Sequence, residues 1–267
     1  MRKILIKKNL RLKDAQSFEN MSKTIIIIPS RLSATRLPNK PLLKINNLSI
    51  IQHVYKRAKE SKVGKVYVAT GDKKIADEIR KIKGKFILTK KKHKTGTDRI
   101  FEAYNKIKEN VNCKYIINLQ GDEPFINPKD IRKLNKIITK NKSSIGTIAN
   151  KIKKKHLADK SIVKVITYDN ILNKEKSKAK KFLRNCDISK IKKNIYGHVG
   201  VYQYEKSILK KFVNLRQSKN EIRYKLEQLR ALDNGINIQV VYSKNKSIGI
   251  DTAQDYVEIK KIIEYKI

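Results

Sequence analysis

Residues 115–124 read Tyr115-Ile116-Ile117-Asn118-Leu119-Gln120-Gly121-Asp122-Glu123-Pro124, an apolar run of strand length that ends in an amide, a glycine, two acids and a proline. Strands that are buried on both faces of a parallel sheet read as nearly continuous apolar runs, and Gly-Asp after such a run marks a tight turn. Ligands of open parallel α/β sheets bind beyond the carboxyl ends of the strands. We therefore expect Asp122 and Glu123 to face an incoming substrate, and two adjacent acids in so basic a chain suggest a hard cation. A solvated acidic turn explains Gly-Asp-Glu alone equally well.

On both sides of this stretch, apolar runs of strand length alternate with amphipathic helical segments. The alternation predicts βαβ units with right-handed crossovers, and hence an α/β fold in which a mostly parallel central sheet carries helices on both faces. The predicted strands are 24–29, 66–70, 86–89, 115–119, 145–149, 163–167, 198–204 and 238–242. One predicted helix begins after Ser49, one near Asp98 and one after Thr252. The other predicted helices span 72–82, 128–139, 207–212 and 221–234.

The chain is predicted to form one domain. Residues 1–22 have no apolar core or cleavage site of a signal peptide and are expected to be a flexible leader, followed by the domain at 23–267. The Lys-rich region 151–200 loosens the pattern and is expected to be a subdomain or a dimer arm, with a lid as another interpretation. The two cysteines, Cys113 and Cys186, form no CxxC pair, which favours a reduced, cytoplasmic protein. The apolar run 25–28 is too short to cross a membrane, so no membrane partner is predicted.

The formal net charge of +40 raises the question of nucleic-acid binding. Lysine, however, is spread over nearly every segment, and no basic motif interleaved with aromatic residues stands out. We predict no specific nucleic-acid partner, but nonspecific association with polyanions at low salt.

Three cations share the loop after the first predicted strand, namely Arg31, Arg36 and Lys40. Arginine forks onto phosphate oxygens and lysine acts as a point charge, so the loop is suited to a triphosphate although it lacks the Walker A pattern. Ordinary surface cations are the alternative, because the chain has 64 Lys and Arg residues.

The segment Thr95-Gly96-Thr97-Asp98-Arg99 follows another predicted strand and opens a helix. Backbone N–H groups at such a start can bind a ribose, a base or a phosphate, but helix capping by Thr97 explains the residues about as well.

Asp251 repeats the pattern of Asp122, because it follows a short apolar segment and a glycine at the mouth of a helix. Mg²⁺ prefers one or two protein carboxylates with water and substrate phosphates in the remaining positions. The two acids are therefore candidates for a metal pair, although Asp251 in isolation reads as a helix cap. His198 shares a strand face with Tyr202, and a lone strand histidine is more often structural than catalytic.

Taken together, these segments resemble the 3-deoxy-manno-octulosonate cytidylyltransferase (CMP-Kdo synthetase) family. The matching pieces occur in family order from about residue 24 to 265 and are jointly specific. They are 28–31, 35–42, 51–54, 68–70, 96–99, 118–124, 198–202, 226–230 and 249–252.

The resemblance implies a single-domain nucleotidyltransferase fold, a homodimer, and transfer of CMP from CTP to 3-deoxy-D-manno-octulosonate (Kdo) with release of pyrophosphate under Mg²⁺, for lipopolysaccharide biosynthesis. By position, it implies catalytic roles for Arg31, Lys40, Asp122 and Asp251, with the two acids holding the metal. The nucleotide set is Arg31, Lys40, Thr95, Gly96 and Asp98. The acid-sugar set is Arg36, Gln120, His198, Tyr202, Glu227 and Gln228.

Four departures from the family pattern bear on the identity of the acid sugar and on the dimer contacts. Asn39 replaces a glycine, Ser33-Ala34 inverts the usual order, and the segments 182–189 and 218–221 are altered. An amino-Kdo or a nonulosonic acid is therefore an alternative substrate, and a basic nucleic-acid-binding module on a degenerate transferase scaffold is an alternative of another class.

Overall fold

A computed structural model describes residues 23–33, 36–107, 112–184, 193–245 and 249–265. The predicted leader at 1–22 and Cys186 lie outside the described residues. Within the described part of the chain, no helix combines the length and the apolar character that crossing a bilayer requires.

The described strands form a nine-stranded sheet in the order β5-β4-β1-β6-β10-β7-β11-β9-β8, and a separate hairpin of β2 and β3. The strands are β1 (Thr24–Ser30), β2 (Lys44–Ile45), β3 (Leu48–Ser49), β4 (Val66–Thr70), β5 (Phe86–Leu88), β6 (Tyr115–Leu119), β7 (Ile145–Asn150), β8 (Lys164–Thr167), β9 (Lys176–Leu183), β10 (Ile195–Glu205) and β11 (Ile238–Ser243).

Helices connect most of these strands. They are α1 (Ile50–Glu60), α2 (Lys73–Lys81), α3 (Gly96–Lys106), α4 (Pro128–Lys140), α5 (Ile171–Lys174), α6 (Lys206–Asn214), α7 (Lys219–Tyr224), α8 (Leu229–Asp233) and α9 (Ala253–Tyr265), with short 3-10 helices at Lys40–Leu42 and Lys154–His156.

The sheet is mixed. β5, β4, β1 and β6 run parallel to one another, as do β7 and β11. β10 is antiparallel to both of its long neighbours, β6 and β7, and β9 is antiparallel to β11. The α/β prediction is confirmed, but the sheet is mixed rather than mostly parallel. The parallel half, where each crossover is helical, brings the ends of β1 and β6 to one edge of the sheet.

The central strand β1 shows why both faces of the sheet are covered. Ile25 and Ile27 belong to a core cluster that also contains Ile100 of α3, whereas Ile26 and Ile28 belong to the cluster that contains Ile50 of α1. All four isoleucines of β1 are at most 5% exposed. A fully buried isoleucine side chain contributes about 1.5–3 kcal/mol, so this strand is a principal source of stability.

Region 151–200 contributes strands to the same sheet. β8 pairs with β9 and with the start of β10, and β9 pairs with β11. Its assignment as a subdomain or dimer arm stays a prediction.

Two details of the sequence interpretation were wrong. The single helix predicted at 221–234 is divided into α7 and α8, because Lys225 adopts a left-handed conformation (φ 52°) that ends α7. The cap of α3 is Thr95, not Thr97, since the Thr95 side chain accepts a hydrogen bond from the backbone N–H of Asp98.

Candidate active site

A pocket of about 400 Å³ opens at the carboxyl ends of β1 and β6. Its wall includes eight of the residues predicted for the site: Arg31, Arg36, Lys40, Thr95, Gly96, Gln120, Asp122 and Asp251. Segments that are far apart in sequence therefore meet where ligands of parallel α/β sheets bind.

Lys40 joins the two predicted metal ligands. Its Nζ lies 2.7 Å from Oδ2 of Asp122 and 3.4 Å from Oδ1 of Asp251. It also donates to the carbonyl oxygen of Ile250 at 2.6 Å. The Lys40 side chain is only 12% exposed, whereas the two carboxylates are 34% and 43% exposed and remain accessible from the pocket. The two acids thus converge on one cation.

The local structure around Asp251 explains why its carboxylate points into the pocket. The interpretation of Asp251 as a helix cap is wrong: Thr252 Oγ1 accepts from the backbone N–H of Asp255, and the Asp255 carboxylate accepts from the N–H groups of Asp251 and Thr252. Capping of α9 thus uses Thr252 and Asp255. The backbone N–H of Ile250 donates to the carbonyl of Asp122 at 2.9 Å and ties the two acidic segments together.

Gly121 lets the turn after β6 approach β1. A Cβ atom at this position would lie 2.8 Å from the carbonyl oxygen of Pro29, which is closer than side-chain atoms tolerate. The glycine therefore places Asp122 directly beside the end of β1.

The start of α3 forms a second wall of the pocket. The Asp98 carboxylate accepts from the N–H and the hydroxyl of Thr95, both at 3.0 Å, and Thr95 Oγ1 accepts from the N–H of Asp98 at 3.1 Å. This capping box occupies both side chains with each other. A Cβ at Gly96 would contact Pro29 at 3.4 Å, so the helix start lies against β1.

Comparison with known proteins identifies the family of this chain. The cytidylyltransferase family model matches residues 25–246. A 3-deoxy-manno-octulosonate cytidylyltransferase of Thermodesulfovibrio yellowstonii is 43% identical over 249 residues, covering 90% of this chain and 98% of that protein. The enzyme of the same name from Rickettsia rickettsii is 38% identical, covering 90% of this chain and 95% of that protein.

The chain belongs to the 3-deoxy-manno-octulosonate cytidylyltransferase family. A solved CMP:2-keto-3-deoxy-manno-octonic acid synthetase complexed with CTP superposes with a TM-score of 0.82 at 32% identity, over 92% of this chain and 100% of that chain. A UDP-glucose pyrophosphorylase complexed with UDP-glucose superposes with a TM-score of 0.69 at 15% identity, over 91% of this chain and 99% of that chain, and supports the fold alone. The family resemblance and the nucleotidyltransferase fold predicted from the sequence are confirmed.

The acid-sugar set that the family implies falls into two groups. Arg36 and Gln120 line the pocket. The other four residues are not part of the pocket wall as described. His198 and Tyr202 lie on β10, Gln228 is the N-cap of α8, and Glu227 directly precedes Gln228. Their predicted roles are not tested by these positions.

A polar chain connects the two groups. Gln120 Nε2 lies 3.3 Å from Oδ1 of Asn118, and Asn118 Nδ2 lies 3.3 Å from Oγ1 of Thr97. Burial raises the pKa of Glu227, and the adjacent hydroxyl of Thr97 opposes this shift. Glu227 thus lies next to the helix start that forms the pocket wall.

An aromatic cluster surrounds His198. Its ring packs edge-on against Phe182 and tilts against Tyr202, each with centroids 5.3 Å apart, and its Nε2 lies 2.9 Å from Oγ1 of Thr147. Burial lowers the pKa of His198 to about 3 and raises the pKa of Tyr202 well above its ordinary value. The histidine is therefore neutral at physiological pH and suited to hydrogen bonding.

Sequence reasoning missed part of the pocket wall, including His93, Lys94 and Arg99. Arg99 is 3% exposed and donates to Thr89 Oγ1 and to the carbonyls of Lys90 and Lys91. It holds the lysine-rich loop in place. Because this loop reads as a run of surface lysines, no pattern in the sequence indicated this role of Arg99.

Proposed function

We propose that the protein transfers CMP from CTP to the anomeric hydroxyl of Kdo, releasing pyrophosphate and supplying the activated sugar for lipopolysaccharide biosynthesis. The observation that carries the proposal is the convergence of Lys40, Asp122 and Asp251 at the pocket of a chain that is 43% identical to a 3-deoxy-manno-octulosonate cytidylyltransferase. The solved relative complexed with CTP supports the choice of nucleotide.

Arg31 and Lys40 are proposed to bind the triphosphate. Both line the pocket, Arg31 directly after β1 and Lys40 at the start of the 3-10 helix that follows the loop. Their positive charges would offset the charge that develops on the departing pyrophosphate, and electrostatic stabilisation of this kind is often the largest contribution to catalysis. Thr95, Gly96 and Asp98 would place the first turn of α3 against the nucleoside, with the capping box fixing that turn.

Asp122 and Asp251 are proposed to hold Mg²⁺. The site fits such an ion, because its oxygen donors are hard, converge on one positive charge, and are accessible from the pocket. When bound, Mg²⁺ neutralises phosphate charge and orients the triphosphate. The other contributions come from the chain itself, through the charges of Arg31 and Lys40 and through positioning of the substrates.

The acid sugar is proposed to lie beside Arg36 and Gln120. Arg36 is 62% exposed and lies 3.1 Å from Asp251, so its guanidinium can turn towards a sugar carboxylate and fork onto it. The anomeric oxygen then forms a bond to the α-phosphorus while the α–β phosphoanhydride bond breaks, and its proton passes to solvent. No covalent enzyme intermediate is needed, because correct orientation alone lowers the barrier substantially.

The test is pyrophosphate release from CTP with Kdo, 8-amino-Kdo or a nonulosonic acid as acceptor. We expect turnover with Kdo to exceed turnover with the other sugars. Asp122→Asn and Asp251→Asn should each lower kcat by about 100-fold or more, because each removes a carboxylate proposed to hold the metal ion that stabilises the transition state. Parent-like pyrophosphate release by Asp122→Asn contradicts the metal role, and release only with another sugar reassigns the substrate.

Two expectations accompany this proposal. The homodimer is tested by light scattering coupled to size-exclusion chromatography, and a cytoplasmic location by fractionation of cells. Salt-dependent binding to random DNA without pyrophosphate release would instead favour the nucleic-acid-binding alternative.

A further inference from the structure

We propose that the Lys40 ammonium is an internal counter-cation, which holds Asp122 and Asp251 together in the nucleotide-free protein and leaves them when a divalent cation and the nucleotide bind. The inference deepens the proposed function and rests on its assignment of the two carboxylates as metal ligands. In this proposal the Lys40 ammonium has two positions, one between the two carboxylates and one at the triphosphate. The structure describes the position between the carboxylates.

The first argument is that Lys40 is saturated. An ammonium group has three N–H donors and no acceptor. Here three oxygens surround Nζ: Oδ2 of Asp122 at 2.7 Å, the Ile250 carbonyl at 2.6 Å and Oδ1 of Asp251 at 3.4 Å. No donor remains for a phosphate oxygen. If Lys40 is to bind the triphosphate, its ammonium has to exchange these partners for phosphate oxygens.

The second argument concerns charge. Two carboxylates that converge without a cation between them repel each other. The Lys40 side chain is only 12% exposed, so water screens its attraction to the two carboxylates less than it screens the attraction of an exposed lysine. The ammonium supplies one positive charge where a divalent cation would supply two. Both cations seek the same oxygens, so they compete for this position.

The third argument is that only the side chain needs to move. The backbone of Lys40 lies in a 3-10 helix, where its N–H donates to the carbonyl of Leu37 at 3.2 Å and its carbonyl accepts from Leu43 at 3.2 Å. Asn39 precedes it in a left-handed conformation (φ 55°), which asparagine adopts more readily than most residues. This fixed base carries a flexible four-carbon stem that can swing between carboxylates and phosphates.

A consequence is that nucleotide and metal help each other to bind through Lys40. The triphosphate attracts the ammonium, which exposes the carboxylates to the metal. Entry of the metal in turn releases the ammonium for the triphosphate. Such coupling is reciprocal by thermodynamic necessity.

Arg36 offers a matched control. Its Nη2 also contacts Oδ1 of Asp251, at 3.1 Å, but its side chain is 62% exposed and no described contact joins it to Asp122. An exposed pair of this kind contributes little and is easily exchanged for water. Removal of the Arg36 charge should therefore matter much less for metal entry than removal of the Lys40 charge.

The experiment measures Mn²⁺ binding to the nucleotide-free protein, by following the electron paramagnetic resonance signal of free Mn²⁺. We expect Lys40→Gln and Lys40→Met to bind Mn²⁺ at least tenfold more tightly than the parent protein. Lys40→Arg, which keeps the charge, should stay within about threefold of the parent, and Arg36→Gln should also stay within that range. Both neutral variants are tested so that a folding defect in one of them leaves the other informative.

The outcomes separate this inference from the proposed function. If Lys40→Gln and Lys40→Met bind Mn²⁺ no more tightly than the parent while adding Asp122→Asn still weakens binding, the counter-cation role is overturned and the metal site stands. If Asp122→Asn leaves Mn²⁺ affinity unchanged in the parent and in Lys40→Gln, the metal assignment itself fails. A tenfold gain that Asp122→Asn abolishes supports both.

Discussion

Arg230 grips the carboxylate of Glu221 with two hydrogen bonds, from Nε to Oε2 at 2.8 Å and from Nη2 to Oε1 at 2.6 Å. Both side chains are 4% exposed. The pair joins α7 to α8 across the segment that carries Glu227 and Gln228. Burial by itself raises the pKa of Glu221, but the hydrogen bonds and positive charge of Arg230, together with hydrogen bonds from Gln217 and Ser218, bring the pKa below its ordinary value. The pair therefore acts as a brace behind the predicted sugar-binding residues.

Replacing only one member of this brace should be costly. Arg230→Met leaves a buried carboxylate without its partner, and breaking such a pair costs about 3–5 kcal/mol. The double variant Arg230→Met with Glu221→Leu should be more stable than Arg230→Met alone, because no buried charge is left behind. Urea denaturation of the two single variants and the double variant measures this. Equal stability of Arg230→Met and the parent contradicts the assignment.

His198 should make stability depend on pH. The folded protein holds this histidine neutral, with a pKa of about 3, whereas the unfolded chain titrates near 6.5. Between these values the unfolded state binds more protons, so the free energy of unfolding falls as the pH drops below 6.5, by up to about 1.4 kcal/mol per pH unit. His198→Asn should remove this contribution. Unfolding in urea at pH 7.5 and pH 5.0 is the measurement, and an unchanged difference between the two pH values in the variant counts against it.

The Cys113 thiol should be unreactive towards alkylating reagents in the folded protein. Its thiol is 5% exposed, lies 3.2 Å from the carbonyl oxygen of Tyr115, and has a pKa raised by burial to about 11. Since the thiolate is the reactive form, a Cys186→Ser protein should resist iodoacetamide at pH 8 and react once unfolded in urea. Rapid labelling of the folded variant, read by mass spectrometry, is incompatible with this.

Gly121→Ala should damage catalysis more than folding. The added methyl group meets the Pro29 carbonyl at 2.8 Å, so the turn has to shift and carry Asp122 with it. A misplacement of about 1 Å can cost roughly 100-fold in rate. The matched control is Gly235→Ala, at a turn with φ 70° and no atom within 4 Å of the new Cβ, which strains only the backbone. We expect kcat to fall for Gly121→Ala and to stay near the parent value for Gly235→Ala. Equal kcat values for the two variants contradict the proposed role of Gly121.

Much of the fold could be predicted from the sequence because the strands are buried on both faces. Runs such as 25–28 and 115–117 are apolar throughout, and the alternation of such runs with helices predicts parallel crossovers. The reversed direction of β10 is not visible in such patterns, because its partners β6 and β7 are distant in sequence and pairing is a tertiary choice. The division of α7 from α8 escaped detection for a related reason: apolar periodicity continues across Lys225, whose left-handed conformation is unusual for lysine.

Candidate site residues could be predicted from the sequence where their charge stands out from that of neighbouring residues. Asp122 and Asp251 follow apolar segments in a basic chain, so strand-end reasoning singled them out, and the family resemblance linked them to Lys40. His93 and Lys94 lie within a lysine run, where charge carries no positional information. Arg99 is buried by contacts with backbone carbonyls, which no sequence pattern reveals.

The place of β10 in the sheet has a consequence for synthesis on the ribosome. β6 and β7 are not neighbours; β10 lies between them, and residues Val201–Glu205 pair with β6 while Gly197–Tyr204 pair with β7. Once the first 150 residues have emerged from the ribosome, the chain therefore exposes two apolar strand edges that pair only with residues 195–205. Unpaired edges of this kind invite aggregation. The emerging polypeptide should accordingly need protection by a chaperone over that interval, and the proposed metal site is completed later still, when Asp251 has been translated.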